Sequence, residues 1–501
     1  MSEHGSIPDV PSIYDDDDET SSGKSVVRIA SVAALGGFLF GYDSAVINGA
    51  VSAVQTQFDV NAGILGFAVA SALLGAAAGA MTAGRLADKV GRLRVMQLAA
   101  VLFLIAAIGT GIAPNLPLFI LLRIVGGLGV GVASVIAPAY IAEVAPAHIR
   151  GRLGSLQQLA IVTGIFLSLL VDYVLANLAG SSQDVLWFGM EAWRWMFIAM
   201  SVPAIIYGLL SLTIPESPRY LVASHHIPEA RKVLTALLGE KNLDITIDRI
   251  KRSLASEKPP SWRDLKNSST GRVLPIVYVG LALSVFQQFV GINVIFYYSN
   301  VLWQAVGFSE ADSFKITVIT AIINILTTLI AIASVDRFGR KPLLLIGSSL
   351  MTVTLTTMAI VFSTAGTNAA GQPSLSGASG PIALVAANLF VIGFGMSWGP
   401  VVWVLLGEMF PNRIRGAALS LAAAGQWVAN WAITVSFPAL KDVSLGLAYG
   451  FYAVCALLSG IFVVRWVMET KGRALEDMDG RTTESAVYPA GAGAQDRESV
   501  R

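Results

Sequence analysis

The feature that most constrains this chain is the recurrence of apolar stretches of about 20 residues, each long enough to cross ~30 Å of hydrocarbon as a helix. The pattern predicts twelve: 26–50, 62–83, 95–113, 116–140, 153–177 and 194–214, then 273–303, 314–335, 342–364, 380–408, 416–438 and 446–468. Charge points the same way. Only 13% of the 501 residues are Asp, Glu, Lys or Arg, against about a quarter in soluble domains. That is too little to coat a water-facing surface of this size. The predicted class is an all-α membrane protein of twelve transmembrane helices whose main solvent is lipid.

Between the sixth and seventh stretches the composition changes. Residues 215–272 are rich in Lys, Arg, Asp and Glu, with an amphipathic patch at Ala230–Leu238. They read as a cytoplasmic linker with short surface helices. The chain then divides into a tail (1–25), a six-helix half (26–214), the linker (215–272), a second six-helix half (273–468) and another tail (469–501). The first tail carries the acidic run Asp15 to Glu19 and lacks the basic flank and short apolar core of a cleaved signal peptide. Both tails read as disordered.

Basic residues set the orientation. One set of loops holds Arg85, Lys89, Arg92 and Arg94, then Arg150 and Arg152, then Arg337, Arg340 and Lys341, then Arg413 and Arg415. The opposite loops, around 51–61, 114–115 and 365–379, hold no Lys or Arg. The positive-inside rule places both termini and the linker in the cytoplasm. A net charge of +1 gives no footing for nucleic acid. Cys455 is the single cysteine, so the chain has no internal disulfide framework or thiolate metal site.

The halves repeat. Gly84–Arg92, which contains Asp88 and Arg92, answers to Asp336–Lys341, which contains Arg340, with Asp88 and Asp336 lying 248 apart. Glu143, Ile149, Arg150 and Gly151 answer to Glu408, Ile414, Arg415 and Gly416, with the glutamates 265 apart. Pro215–Arg219 answers to Met468–Gly472, with Glu216 and Glu469 separated by 253. Three pairs at nearly one offset indicate duplication.

These motifs, with the run Gln287-Gln288-Phe289-Val290-Gly291-Ile292-Asn293, resemble the major facilitator superfamily and within it the sugar porters, the proton–sugar symporters and glucose facilitators. The resemblance covers about 26–474 and departs at Met468, where the family usually has proline. It implies a substrate site at the midplane between two pseudo-symmetric halves.

Sugars need groups that both donate and accept without a charge to desolvate, which suits primary amides. Gln287, Gln288 and Asn293 crowd one predicted helix, with Tyr297 and Tyr298 about a turn further. Such density inside a membrane is costly unless it lines a cavity. Gln158, Asn324, Gln426 and Asn430 add amides from other helices, and Trp403 and Trp427 offer faces for the apolar side of a sugar. The resemblance implies that these positions, with Ile165 and Phe394, line the site. The alternative is interhelical glue, worth about 0.6 kcal/mol per amide. Xylose symporters of the family carry a glutamine where this chain has Ile165, which favours a hexose, glucose first.

Asp43 and Arg123 fall inside the first and fourth stretches. Each costs about 2.5–3.5 kcal/mol at a helix centre on insertion scales, so they should pair or face water. In the resembled symporters the matching acid binds the coupling proton, and facilitators typically have a neutral residue there. A structural ion pair is the plainer alternative. The charges Asp88, Arg92, Glu143, Arg150, Glu216, Arg219, Asp336, Arg340, Glu408, Arg415 and Glu469 are, by resemblance, a lattice of salt bridges between the halves that gates the cytoplasmic side.

Gly126, Gly127, Gly129 and Gly131 read as close helix packing and not as a nucleotide loop. No metal or cofactor site and no enzymatic constellation is visible. The expectation is a proton-coupled importer of a monosaccharide, monomeric, multi-pass, in the plasma membrane (the inner membrane of a bacterium). A passive facilitator and a sugar-sensing receptor are the competing readings.

Overall fold

The computed structural model describes residues 19–145, 150–238, 243–256, 265–266, 271–367, 373–375, 377–411 and 414–470. The first half comprises α1 (Glu19–Ala45), α2 (Ile47–Gln57), α3 (Ala62–Val90), α4 (Arg92–Ile112), α5 (Leu116–Val144), α6 (Arg150–Ala179), α7 (Ala192–Ala199) and α8 (Ser201–Ser211). Three linker helices follow: α9 (Pro218–Ala223), α10 (Ile227–Leu238) and α11 (Leu243–Ser256). The second half holds α12 (Pro275–Phe289), α13 (Ile292–Ala305), α14 (Glu310–Phe338), α15 (Arg340–Ser363), α16 (Ser379–Gly393), α17 (Gly399–Met409), α18 (Arg415–Val443) and α19 (Leu445–Trp466). Two small antiparallel hairpins, β1 (Val185–Trp187) with β2 (Met190–Glu191) and β3 (Gly366–Thr367) with β4 (Pro373–Ser374), complete the described elements.

Several spans are pairs of shorter helices. Gly291, at φ +84°, separates α12 from α13; a Cβ there would stand 2.7 Å from the Tyr452 ring. A π-helical turn, Phe394–Trp398, joins α16 to α17. Counting α1–α2, α7–α8, α12–α13 and α16–α17 as single passes gives twelve spans. Eleven are long and apolar enough to cross a membrane. The twelfth, α18, has 29 residues but carries Gln426, Asn430, Lys441 and Asp442, which lowers its hydropathy without shortening it.

Glycine decides how closely the helices meet. A Cβ on Gly127 of α5 would lie 1.8 Å from the Ala72 carbonyl of α3, and one on Gly75 of α3 would lie 2.1 Å from the Ile124 carbonyl of α5. Gly41 of α1 and Gly164 of α6 abut Ile161 and Phe38 in the same reciprocal way, at 1.9 and 2.0 Å. The helices pack backbone to backbone, as small residues allow in lipid. The linker buries a small core of its own, with Leu221, Val222, Ala230, Leu234 and Ile247.

The halves meet along α3 with α18, α6 with α14 and α2 with α13. At the end remote from the basic loops they are clasped. Asn48 of α2 donates from Nδ2 to the Phe296 carbonyl at 2.8 Å and accepts from the Asn300 amide at 3.0 Å. The Ser182 amide donates to Glu310 at 3.1 Å. Gly66 closes on the Val435 carbonyl, where a Cβ would stand at 2.3 Å.

Candidate transport site

Asp43 and Arg123 come together deep inside the first half. Arg123 Nη1 lies 3.4 Å from Asp43 Oδ1 and 3.2 Å from the Asp43 carbonyl oxygen. Both residues are buried, and Asp43 Oδ2 and Arg123 Nε have no hydrogen-bond partner. Gly126 makes the room: a Cβ there would stand 2.9 Å from Asp43 Oδ1. The guanidinium also lies 5.7 Å from the centre of the Phe197 ring. A narrow cleft of about 10 Å³, room for roughly one water, is lined by Asp43, Ser44, Arg123 and, from the other half, Tyr297.

Tyr297 belongs to the predicted sugar cluster, yet it reaches the acid–base pair. It lies within hydrogen-bonding reach of Asn430 and of Ser44, the neighbour of Asp43. One side chain therefore lies beside both constellations that the sequence separates.

The amides of α12 are partly spent on the protein. Gln287 Nε2 donates to the Trp398 and Gly399 carbonyls at 2.8 and 3.1 Å, backbone acceptors at the end of the π-helical turn. Its Oε1 has no partner. Gln288 Oε1 accepts from Asn293 Nδ2. Asn430 Oδ1 accepts from Thr434. Asn324 lies beside Gly395 of the π-helical turn, its Oδ1 3.6 Å from a Cβ built there. Gln426 Oε1 and Trp431 Nε1 are also buried without partners. Gln287 and Gln426 thus each keep a buried acceptor that no described protein group satisfies.

Other predicted residues fare differently. Trp427 approaches Phe40 of the first half, with ring centres 6.2 Å apart. Ile165 packs beside Gly41, whose Cβ would stand 3.0 Å from the Ile165 amide nitrogen. Gln158 is half-buried on α6, and Phe394 opens the π-helical turn, packed against the core. Trp403 is 43% exposed and joins none of the described ring contacts. Tyr298 turns away and donates to the Thr434 carbonyl at 2.9 Å, a structural bond between helices of the same half.

The charges at the basic end form two matching clusters. Arg92 grips Glu143 with two bonds, Nε to Oε2 at 3.0 Å and Nη2 to Oε1 at 2.9 Å. Arg340 grips Glu408 likewise, at 3.0 and 2.7 Å. Glu216 accepts from the amides of Arg92 and Leu93 at the start of α4, and Glu469 accepts from those of Arg340 and Lys341 at the start of α15. A carboxylate at a helix N-terminus satisfies free amides and opposes the dipole. Asp88 adds a bond to Arg92 but is largely exposed. Arg415 donates to the Phe410 carbonyl. The side chains of Arg150 and Asp336 lie outside the described residues.

The expected lattice joins the halves in the outward-facing state and breaks as the cytoplasmic side opens; the bonds described here, in a shape clasped at the outer end, lie within each half. Arg92–Glu143 and Arg340–Glu408 join helices within one half, and Glu216 and Glu469 tie each half to its own flanking segment, so the clusters brace each half internally. The halves are held together at the opposite end instead.

Sequence reasoning missed Ser217 and Thr470, which donate to Glu143 and Glu408. Their offset, equal to that of Glu216 and Glu469, would have found them. It also missed Trp398, which donates from Nε1 to the Leu344 carbonyl and Ser348 Oγ, and Gln157, pressed against Gly37 at 2.7 Å from a Cβ there. No local signal separates Gln157 from Gln158; only helix rotation does.

The profile of the family described as Sugar (and other) transporter matches residues 29–481. The glucose transport protein of Synechocystis is 56% identical over 461 residues, covering 92% of this chain and 98% of that protein. The D-xylose-proton symporter of Escherichia coli is 38% identical over 491 residues, covering 91% and 95%. The inward-open structure of the Escherichia coli xylose transporter superposes with a TM-score of 0.77 at 37% identity, covering 91% of this chain and 99% of that one.

Proposed function

The chain belongs to the sugar transporter family, and from that premise we propose that it imports a monosaccharide, glucose first, with a proton by alternating access. The observation that carries the reading is the Asp43–Arg123 pair, buried in a membrane half beside a cleft that Tyr297, from the half that holds the amides, also lines. An intramembrane acid–base pair is expected to have a functional reason. A tyrosine spanning both constellations gives proton and sugar a physical link.

In the proposed cycle a proton from outside binds the Asp43 carboxylate and cancels its charge. Arg123 then keeps only the Asp43 carbonyl, and α1 is freer to move against α5. Sugar hydroxyls occupy Gln287 Oε1, Gln426 Oε1 and Trp431 Nε1, with Trp427 against the apolar face of the ring. The halves then rock about the bound sugar. Loss of the proton inside restores the ion pair and resets the carrier. One charge moving down 100 mV supplies ~2.3 kcal/mol, about fifty-fold accumulation.

Glucose is favoured by the apolar Ile165 and by the name of the 56% identical relative. The clasp around Asn48 fits an outer gate closed in the present shape, with the basic end cytoplasmic by the positive-inside rule. The brace clusters would then stiffen each half while the cytoplasmic side opens. We place the protein in the plasma membrane as a monomer with both termini inside.

Labelled-glucose uptake into proteoliposomes, with and without an inward proton gradient, tests this. Wild type should accumulate glucose uphill only with the gradient, and Asp43→Asn should exchange glucose without accumulating it. Equal, gradient-independent equilibration by both proteins would leave a facilitator.

A further inference from the structure

A second acid lies inside the first half, and the proposed cycle does not use it. Asp172 stands on α6 two turns beyond Ile165, with 0% of its surface exposed. Neither of its carboxylate oxygens has a hydrogen-bond partner. It presses on α2 and α7. A Cβ on Gly49 would come 2.8 Å from Asp172 Cβ and Cγ and 2.7 Å from Met196 Sδ.

Among the described residues no cation pairs with Asp172. On α1 the titratable neighbour is Tyr42, buried, with its own hydroxyl unpartnered. Asp43 of α1 and Arg123 of α5 pair with each other. Arg194 of α7 pairs with Glu191 and donates to the Gly111 and Ala113 carbonyls. On α14, Glu310 accepts from Ser182 and Asp312 pairs with Lys315; Arg337 stands at the far, basic end. The α2 sequence has no charged residue, and neither has β1.

A bare carboxylate in such a place would lose its hydration and gain no charge in return, with only the Gly49 backbone amide close by to offset it. Binding a proton removes that cost. The location adds a second point. Gly49 follows Asn48, whose side chain makes the two bonds that clasp α13. The same turn of α2 that seals the outer end covers Asp172.

We infer that Asp172 is a second proton-binding site, filled while α2 seals the outer end and exposed to outside water when that seal opens. Closing the outer gate then takes up a proton from outside, independently of the one assigned to Asp43. The gating part of this rests on the alternating-access reading; the occupancy of Asp172 does not.

Infrared difference spectra of the full chain in lipid vesicles read protonated carboxyl groups directly. At neutral pH the wild type should show the carbonyl band of a protonated acid, lost in Asp172→Asn and kept in Asp43→Asn. Asp172→Asn, which mimics the neutral acid, should melt no lower than wild type at that pH. A band that survives Asp172→Asn unchanged, or no band in wild type, would overturn the inference. Should Asp172→Asn fail to assemble, Asp172→Glu must shift the band, and an unshifted band has the same adverse meaning. Spin-label distances across the outer end should widen for wild type as external pH rises. Measured in the Asp43→Asn background, which removes the other proton site, that pH dependence should remain and should vanish on adding Asp172→Asn; its persistence in the double variant would refute the gating part. Neither measurement depends on uphill sugar accumulation, so failure of the symport reading would appear separately.

Discussion

Arg123 holds Asp43 by two oxygens of the same residue, the carboxylate Oδ1 at 3.4 Å and the backbone carbonyl at 3.2 Å. Only the first depends on charge. Protonating Asp43 therefore loosens the contact without releasing it, so α1 stays in register while its side chain changes state. Removing the cation is the sharper perturbation. In Arg123→Gln the acid has no partner and should keep its proton throughout the cycle, so gradient-driven accumulation should be lost while exchange continues. Arg123→Lys should recover part of it, because a lysine supplies the charge without the planar fork. Parallel accumulation and counterflow assays check both variants.

The free acceptor of Gln287 should matter to sugar affinity more than to turnover. A neutral hydrogen bond is worth about 0.5–1.5 kcal/mol, so Gln287→Ala should raise the KM for sugar up to roughly tenfold. The variant also releases the Trp398 and Gly399 carbonyls, so a change in Vmax beyond that in KM would reveal a role for the π-helical turn. Initial rates over a range of sugar concentrations separate the two.

Loss of the Asn48 side chain removes both clasp bonds. Asn48→Ala should shift the equilibrium towards an open outer end by about 1–3 kcal/mol, or 5- to 150-fold in population. Spin labels on the outer ends of α2 and α14 would report it as growth of the longer distance. An unchanged distribution would mean that the apolar contacts around Gly66 hold the end alone.

The two brace clusters predict equal effects at unrelated sequence positions. Glu216→Gln and Glu469→Gln each weaken a carboxylate cap on two amides, worth about 0.3–1 kcal/mol. Their losses in thermal stability should match and should add in the double variant, because the described bonds of Glu216 and Glu469 go to different helices. Thermal melts of the detergent-solubilised chain in one buffer are sufficient.

Close packing of α3 on α5 gives a graded steric test. Gly127→Val would drive carbon into the Ala72 carbonyl, 1.8 Å from even a bare Cβ, whereas Gly129→Ala meets its nearest atom at an ordinary 3.4 Å. Folded yield should collapse for the first and persist for the second, as size-exclusion profiles would show.

The sequence by itself determined the class of the protein, the number of passes and the twofold repeat, because these rest on local quantities. Lipid demands about 20 apolar residues per crossing, and a motif repeated near one offset is visible without folding. It also singled out Asp43 and Arg123, since a charge inside an apolar run is conspicuous wherever its partner lies.

Rotation and register were decided only by the tertiary structure. Gln157 and Gln158 are indistinguishable in sequence, yet helix packing buries the first against Gly37 and leaves the second half-buried. Tyr297 and Tyr298 are likewise adjacent, but only Tyr297 reaches the acid–base pair while Tyr298 bonds within its own half. That Arg92 grips Glu143 and Arg340 grips Glu408 was also decided in space, because an Arg–Glu pair is chosen by which helix ends converge. Asp172 escaped notice for the same reason. In sequence it lies inside the fifth stretch with nothing to mark its surroundings, and only the packing of α2 over it removes it from water.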